Sequence, residues 1–188
     1  MESPDGHMHF RHLDEATDQD LAVLADVHRR NVEELPDLVL GMLTDLGGDD
    51  AYPVDRREHS LQAATRALRD GRDEEYVVCA LLHDIGESLG PFNHGDVAAA
   101  IVAPFVSEAN RWMLAHHPVF QVYFYGRHIG VDPDGREAFS ASPHFERTAE
   151  FCALYDEVSF EPDYPSEPMA TFEPMVRRVL RKEWAPPS

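Results

Sequence analysis

The sharpest chemical feature of this 188-residue sequence is a His-Asp pair at the end of an apolar run, Val77-Val78-Cys79-Ala80-Leu81-Leu82-His83-Asp84. A run apolar on every side commits its helix to the interior. A carboxylate carried there needs a strong partner, because an isolated buried charge is costly. A divalent cation satisfies it directly; a hydrogen-bonded His-Asp couple in the core is the other reading. His59, His94, His116 and His117 also stand at helix ends or within apolar stretches, and Asp156 closes the run Phe151-Cys152-Ala153-Leu154-Tyr155. Imidazole and carboxylate side chains are ordinary ligands of divalent metal ions.

The elements that must bring these residues together read as helices. Apolar residues from Asp18 to Leu46 recur at helical spacing, and Pro36 predicts a break that divides the stretch into two helices. His59 lies in a helix of about four turns that ends at Asp70-Gly71. Asp73 caps the helix that carries His83-Asp84, and Gly86 and Gly90-Pro91 end it. Asn93-His94 opens a helix that Pro104 closes. Ser107 caps another that runs to His116-His117, where Pro118 is expected to redirect the chain. The aromatic stretch 119–125 is read as helix, although its composition also suits a strand. Asp132-Pro133-Asp134-Gly135 is a turn by composition. A helix from Pro143 leads to Asp156, a proline-rich loop covers Phe160 to Pro168, and Phe172 to Trp184 forms a last amphipathic helix.

Together His59, His83-Asp84 and Asp156, each on a different helix, spell an H...HD...D pattern that resembles the HD-domain superfamily over roughly residues 52–160. The resemblance implies an all-α helical bundle with its metal site between central helices. Residues 1–188 would then form a single HD domain, with N-terminal helices and a C-terminal helix packing on a core of about 52–160. Glu58-His59-Ser60-Leu61-Gln62 and the segment from His94 through Ser107-Glu108 to His117 are similar to the phosphonate-cleaving HD oxygenases. That group belongs with myo-inositol oxygenase among the mixed-valent diiron oxygenases. The register of this resemblance favours His117 over His116 as ligand. It implies two metals, one held by His59, His83, Asp84 and Asp156 and the other by Asp84, His94 and His117, with Asp84 as the bridge.

What the resemblance implies chemically is an Fe(II)/Fe(III) pair that uses O2 for oxidative C-C or C-P cleavage of a small hydroxylated substrate. The sequence departs from that group at two positions. Where those enzymes place a cationic or imidazole side chain after the HD-x-G motif, this chain has Glu87; where the phosphonate enzymes carry a lysine, it has Gln121. Losing charge-assisted donors weakens anion recognition. The expected substrate is therefore a neutral polyol-like or cationic hydroxylated compound, contacted by Glu87 and Gln121, not a simple phosphonate. Tyr52, seven residues before His59, is a candidate lid or transient ligand. Tyr123, Tyr125, Arg127 and His128 are candidates for the pocket wall.

Composition narrows the alternatives. A net charge of -19 repels nucleic-acid phosphates and anionic membrane surfaces. The sole lysine is Lys182, so the cationic charge is almost all guanidinium. The mean hydropathy of -0.40, with no apolar run of about 20 residues and no leader-like N-terminus, makes the cytoplasm the expected location. Cys79 and Cys152 are expected to be plain core thiols. The main rival reading is a phosphohydrolase using Mn, Mg, Fe or Zn, with Arg56, Arg57 and Arg66 as possible anion contacts. A regulatory HD fold without activity is a third, disfavoured by six intact candidate ligands.

Overall fold

The computed structural model describes residues 7–48 and 51–181, and every regular element among them is helical. The first long helix, α1 (Asp18–Asp45), starts at a capping box in which Thr17 and Asp20 exchange side-chain and backbone hydrogen bonds. Pro36 lies inside α1 and is buried. The expected break into two helices does not occur. One missing backbone bond is spread over 28 residues, and the proline ring is packed into the interior, which offsets part of that loss.

Helix α2 (Arg56–Arg69) is capped by Asp55, whose carboxylate accepts from the Glu58 N–H at 2.8 Å. Its buried face includes His59, Leu61, Ala63, Ala64 and Ala67, and these small residues let α3 lie close. Helix α3 (Glu74–Leu82), capped by Asp73, is the centre of the molecule: Tyr76 through Leu82 are fully buried. Burying each large apolar side chain contributes about 1.5–3 kcal/mol. The withdrawal of a single charged group from water costs several kcal/mol. The apolar run therefore holds α3 in place and forces the residues after it, His83 and Asp84, to sit where packing leaves them.

Helix α4 (His94–Val102) packs against α5 (Glu108–Ile129), which Ser107 caps and Gly130 ends in a left-handed conformation. Gly95 allows the approach: a methyl group there would stand 2.7 Å from the Leu114 carbonyl oxygen and 2.9 Å from the Pro118 ring. Pro118 does not redirect the chain as expected, for α5 continues through it, and stretch 119–125 is helical. The turn at Asp132 leads into a 3-10 helix, Pro133–Phe139. Helix α6 (Phe145–Phe151) runs into a π-helical turn, Cys152–Asp156. The last helix, α7, spans Met169–Val179, so it begins before Phe172; the expected end at Trp184 lies outside the described residues. Val39 and Leu43 of α1 and Phe172 and Val176 of α7 join the same buried cluster as α3.

The two helical glycines with opposite surroundings give a test. Gly95→Ala forces α4 away from α5 and is expected to destabilise by about 1–3 kcal/mol, as overpacking does. Gly41→Ala, in open space on α1, is expected to be neutral or stabilising by up to about 1 kcal/mol. Chemical denaturation of both variants measures this, and equal effects would contradict the close approach at Gly95.

Candidate metal centre

Six side chains from five elements meet beside α3. His59 comes from α2, His83 and Asp84 from the end of α3, His94 from the first residue of α4, His117 from α5, and Asp156 from the π-helical turn. Extra backbone in such a turn re-aims a side chain, and π-turns are frequent at functional sites. His59, His83, His117 and Asp156 are buried, while Asp84 and His94 are partly open to a cavity.

Each imidazole is oriented by what its Nδ1 meets. His59 Nδ1 faces the Ser159 carbonyl at 2.9 Å, His83 Nδ1 the Ala80 carbonyl at 2.8 Å, and His117 Nδ1 the Leu114 carbonyl at 2.7 Å. His94 Nδ1 faces the Glu87 carboxylate at 3.3 Å. The three carbonyls can only accept, so Nδ1 of His59, His83 and His117 carries the hydrogen and, in the neutral ring, Nε2 presents a bare lone pair; the Glu87 charge beside His94 Nδ1 favours the same tautomer there. The Leu114 carbonyl is available because residue 118 is proline and has no N–H to donate to it. Pro118 thus serves the site by freeing the acceptor that fixes the His117 tautomer.

The four Nε2 atoms point at one another. His59 and His83 are 3.0 Å apart at Nε2, and His94 and His117 are 3.2 Å apart. Asp84 lies between the two pairs with one oxygen toward each. Its Oδ2 is 3.4 Å from His83 Nε2 and 3.7 Å from His59 Nε2; its Oδ1 is 3.3 Å from His117 Nε2 and 3.5 Å from His94 Nε2. Asp156 Oδ1 completes the first group at 3.2 Å from His59 and 3.6 Å from His83. Ligand atoms about 2.1 Å from one metal ion lie about 3.0 Å apart at right angles and about 3.4 Å apart in a tetrahedron, which matches these separations. Facing lone pairs at such distances repel unless a cation or proton lies between them. Three sets could each hold an ion: His59, His83 and Asp156; His83, Asp84 and His117; and Asp84, Glu87 and His94.

The charges reinforce this demand. Burial pushes His83 toward the neutral form, but the Asp84 and Asp156 carboxylates outweigh it and raise its pKa to about 9. Burial likewise raises Asp84 and Asp156, yet the surrounding imidazoles hold both below the usual carboxylate range. Burial lowers His94, favouring its neutral form. Asp156 Oδ2 is buried without a hydrogen-bond partner. Cys79 and Cys152 are buried free thiols that burial keeps protonated, as befits core residues.

His116 does not join the cluster. It stacks on Trp112 at 3.8 Å between ring centroids and points its Nδ1 at the Trp112 carbonyl. Tyr52, Glu87 and Gln121 line the cavity above the cluster, whose volume is about 600 Å³. His128 is exposed and is not part of this wall, because it sits in the last turn of α5, beyond the cavity. Gln121 Nε2 donates to Asp156 Oδ1 at 3.0 Å. Glu87 is engaged by Arg56 at 2.9 Å as well as by His94. The sequence reading missed Phe124, Glu157 and Phe160 as wall residues. Phe160 stacks on the His59 ring with centroids 4.4 Å apart. Only its position in a proline-rich loop following Asp156 could have hinted at it.

With this geometry in place, the match of the HD domain family model to residues 56–154 is decisive. The chain belongs to the HD domain family, whose helical fold holds divalent metal ions, and its donor set fits such ions. It is similar to a [1-hydroxy-2-(trimethylamino)ethyl]phosphonate dioxygenase (glycine-betaine-forming) of Leisingera caerulea, with 40% identity over 72 residues. The aligned part covers 37% of this chain and 35% of that protein. Among the described residues no helix is long and apolar enough to cross a membrane.

Two tests follow from the geometry. His117→Ala is expected to lower the metal content per chain, whereas His116→Ala leaves it unchanged; elemental analysis with protein quantification decides, and the reverse pattern contradicts the assignment. The second concerns pH. In the metal-free chain His83 titrates near 9, against 6.5 unfolded. Its stabilising contribution is therefore fully present below about pH 6.5 and lost as pH rises through about 9. A bound ion must displace this proton, so metal stabilisation grows over the same interval. The rise in Tm on adding Mn(II) to chelated protein is expected to be larger at pH 9 than at pH 6.5, and an equal or smaller rise would contradict the shared site.

Proposed function

We propose that this chain is a diiron oxygenase that uses O2 for oxidative C-C or C-P cleavage of a small hydroxylated substrate. The observation that carries the proposal is Asp84, whose two oxygens each face a separate pair of imidazole Nε2 atoms. A bridging carboxylate between two donor sets suits a pair of metal ions better than a single one. In this reading His59, His83, Asp84 and Asp156 would hold one iron, and Asp84, His94 and His117 would hold the other. When bound, the Fe(II)/Fe(III) pair would supply the redox chemistry with O2. The similarity to a dioxygenase supports iron over Mn, Mg or Zn.

The chain's own residues prepare the site. Phe160 covers one face of His59 and keeps water from it. Gln121 holds the Asp156 oxygen that faces His59 and His83. Tyr52, Phe124 and Tyr125 give the cavity an aromatic wall against which a small substrate can be oriented. The carboxylates Asp84, Glu87 and Glu157 line that space, and its single arginine, Arg56, already pairs with Glu87. Arg66 bonds the Val158 carbonyl and Glu161 and is not among the cavity's lining residues. With Asp84 given to the metals and Glu87 paired with Arg56, the wall adds no uncommitted cationic side chain for a phosphonate or phosphomonoester beyond the ions themselves, which supports a neutral or cationic alcohol. It also weighs against the phosphohydrolase reading. The substrate and O2 are the partners of this reading, with neither nucleic acid nor membrane.

Anaerobic iron loading, partial oxidation and electron paramagnetic resonance test the proposal. A coupled ferrous-ferric signal that changes with amine-bearing or neutral alcohols is expected, with O2 consumption on those compounds exceeding that on hydroxyphosphonates. Phosphatase turnover with a redox-inert metal and no coupled signal would overturn the oxygenase. A strong preference for phosphonates would overturn the substrate charge alone.

A further inference from the structure

Three of the four site histidines are oriented by backbone carbonyls, but His94 is not. It is the first residue of α4, so no preceding helical turn offers it a carbonyl. Its Nδ1 meets Glu87 Oε1 at 3.3 Å instead, and Glu87 Oε2 accepts from Arg56 Nη1 at 2.9 Å. The backbone holds this contact. Gly86 packs so tightly on α4 that an added methyl group would lie 2.3 Å from the His94 carbonyl oxygen. The Glu87 N–H donates to the Asp84 carbonyl at 3.0 Å. Glu87 is therefore fixed beside the ring edge opposite the cluster, while His94 Nε2 faces Asp84 and His117.

We infer that Glu87, clamped by Arg56, is the positioning residue for the second metal ion, acting through His94 and not through the substrate. This rests on the two-metal reading above and assigns Glu87 a different task from the substrate contact expected of it in the sequence. A carboxylate on Nδ1 fixes the tautomer and the ring plane and makes Nε2 a stronger donor than a neutral acceptor would. The ion held by His94 and His117 thus depends on Glu87, whereas the ion held by His59, His83 and Asp156 depends on the Ser159 and Ala80 carbonyls. Although Asp84, Glu87 and His94 lie within ligand reach of one another, both Glu87 oxygens are already engaged, Oε1 by His94 Nδ1 and Oε2 by Arg56, which favours positioning over direct ligation.

Calorimetric titration of the chelated full chain with Mn(II) reads both ions separately from any turnover. Two ions per chain are expected, with His94→Ala identifying the second. Glu87→Ala is expected to weaken that second ion about 10- to 100-fold and leave the first unchanged. Glu87→Gln, which keeps an oxygen beside Nδ1 without the charge, weakens it less. In the His94→Ala background Glu87→Ala adds nothing, which a merely structural role would not produce. Arg56→Met weakens the second ion in the same direction by a smaller factor, which keeps the test valid if Glu87→Ala does not fold. Two ions in the parent chain with unchanged or equally weakened affinities in Glu87→Ala would overturn the role of Glu87 and leave the two-metal reading standing. A single ion that ignores His94→Ala would overturn both.

Discussion

Four imidazole lone pairs and two carboxylates share one largely buried space, and only positive charge placed among them makes that arrangement stable. The rest of the structure can be read as the means of enforcing it. The apolar run of α3 fixes His83 and Asp84 by burial, so they cannot retreat to water. Backbone carbonyls at Ser159, Ala80 and Leu114 then set the tautomers of His59, His83 and His117. Because each acceptor belongs to the main chain, the donor directions are built into the fold and need no reorganisation when an ion arrives. In the metal-free chain a proton on His83 partly takes the cation's place, which is why its pKa lies near 9.

That these six side chains would meet was legible in the sequence because burial is. An apolar run that ends in His-Asp declares its own chemistry, and His59 and Asp156 follow from the family pattern. The starts of α3 and α5 were readable from Asp73 and Ser107, and the ends of α2 to α4 from Gly and Pro punctuation. Two prolines misled in the same way. Pro36 and Pro118 were expected to break helices, yet each is carried within a long one. At Pro118 the missing donor is useful, since it leaves the Leu114 carbonyl for His117. Local rules treat a lost backbone bond as a defect and cannot see a side chain waiting to use the freed acceptor. The π-turn before Asp156 and the stacking of Phe160 on His59 are tertiary events with no periodic trace.

Glu87 shows where residue identity and role separate. As a sequence feature it is a sign change at a position where the resemblance implies a substrate contact, and it reads as a specificity residue. In the fold it faces Arg56 on one side and His94 on the other, and its charge is already engaged. The cavity keeps an acidic and aromatic lining through Asp84, Glu157, Tyr52, Phe124, Tyr125 and Phe160. In the proposed account substrate preference is therefore read from the rest of the wall, and Glu87 is assigned to His94. His128, one of the candidates for the wall, lies outside because α5 carries it past the cavity.

The central claim is that Asp84 bridges two ions held by the two imidazole pairs. Anomalous diffraction from crystals loaded anaerobically with iron tests it most directly. The expected result is two iron peaks about 3.5–4 Å apart, with one Asp84 oxygen bound to each, His59 and His83 on one ion, and His94 and His117 on the other. A single iron peak, or two peaks with Asp84 bound to only one, would contradict it.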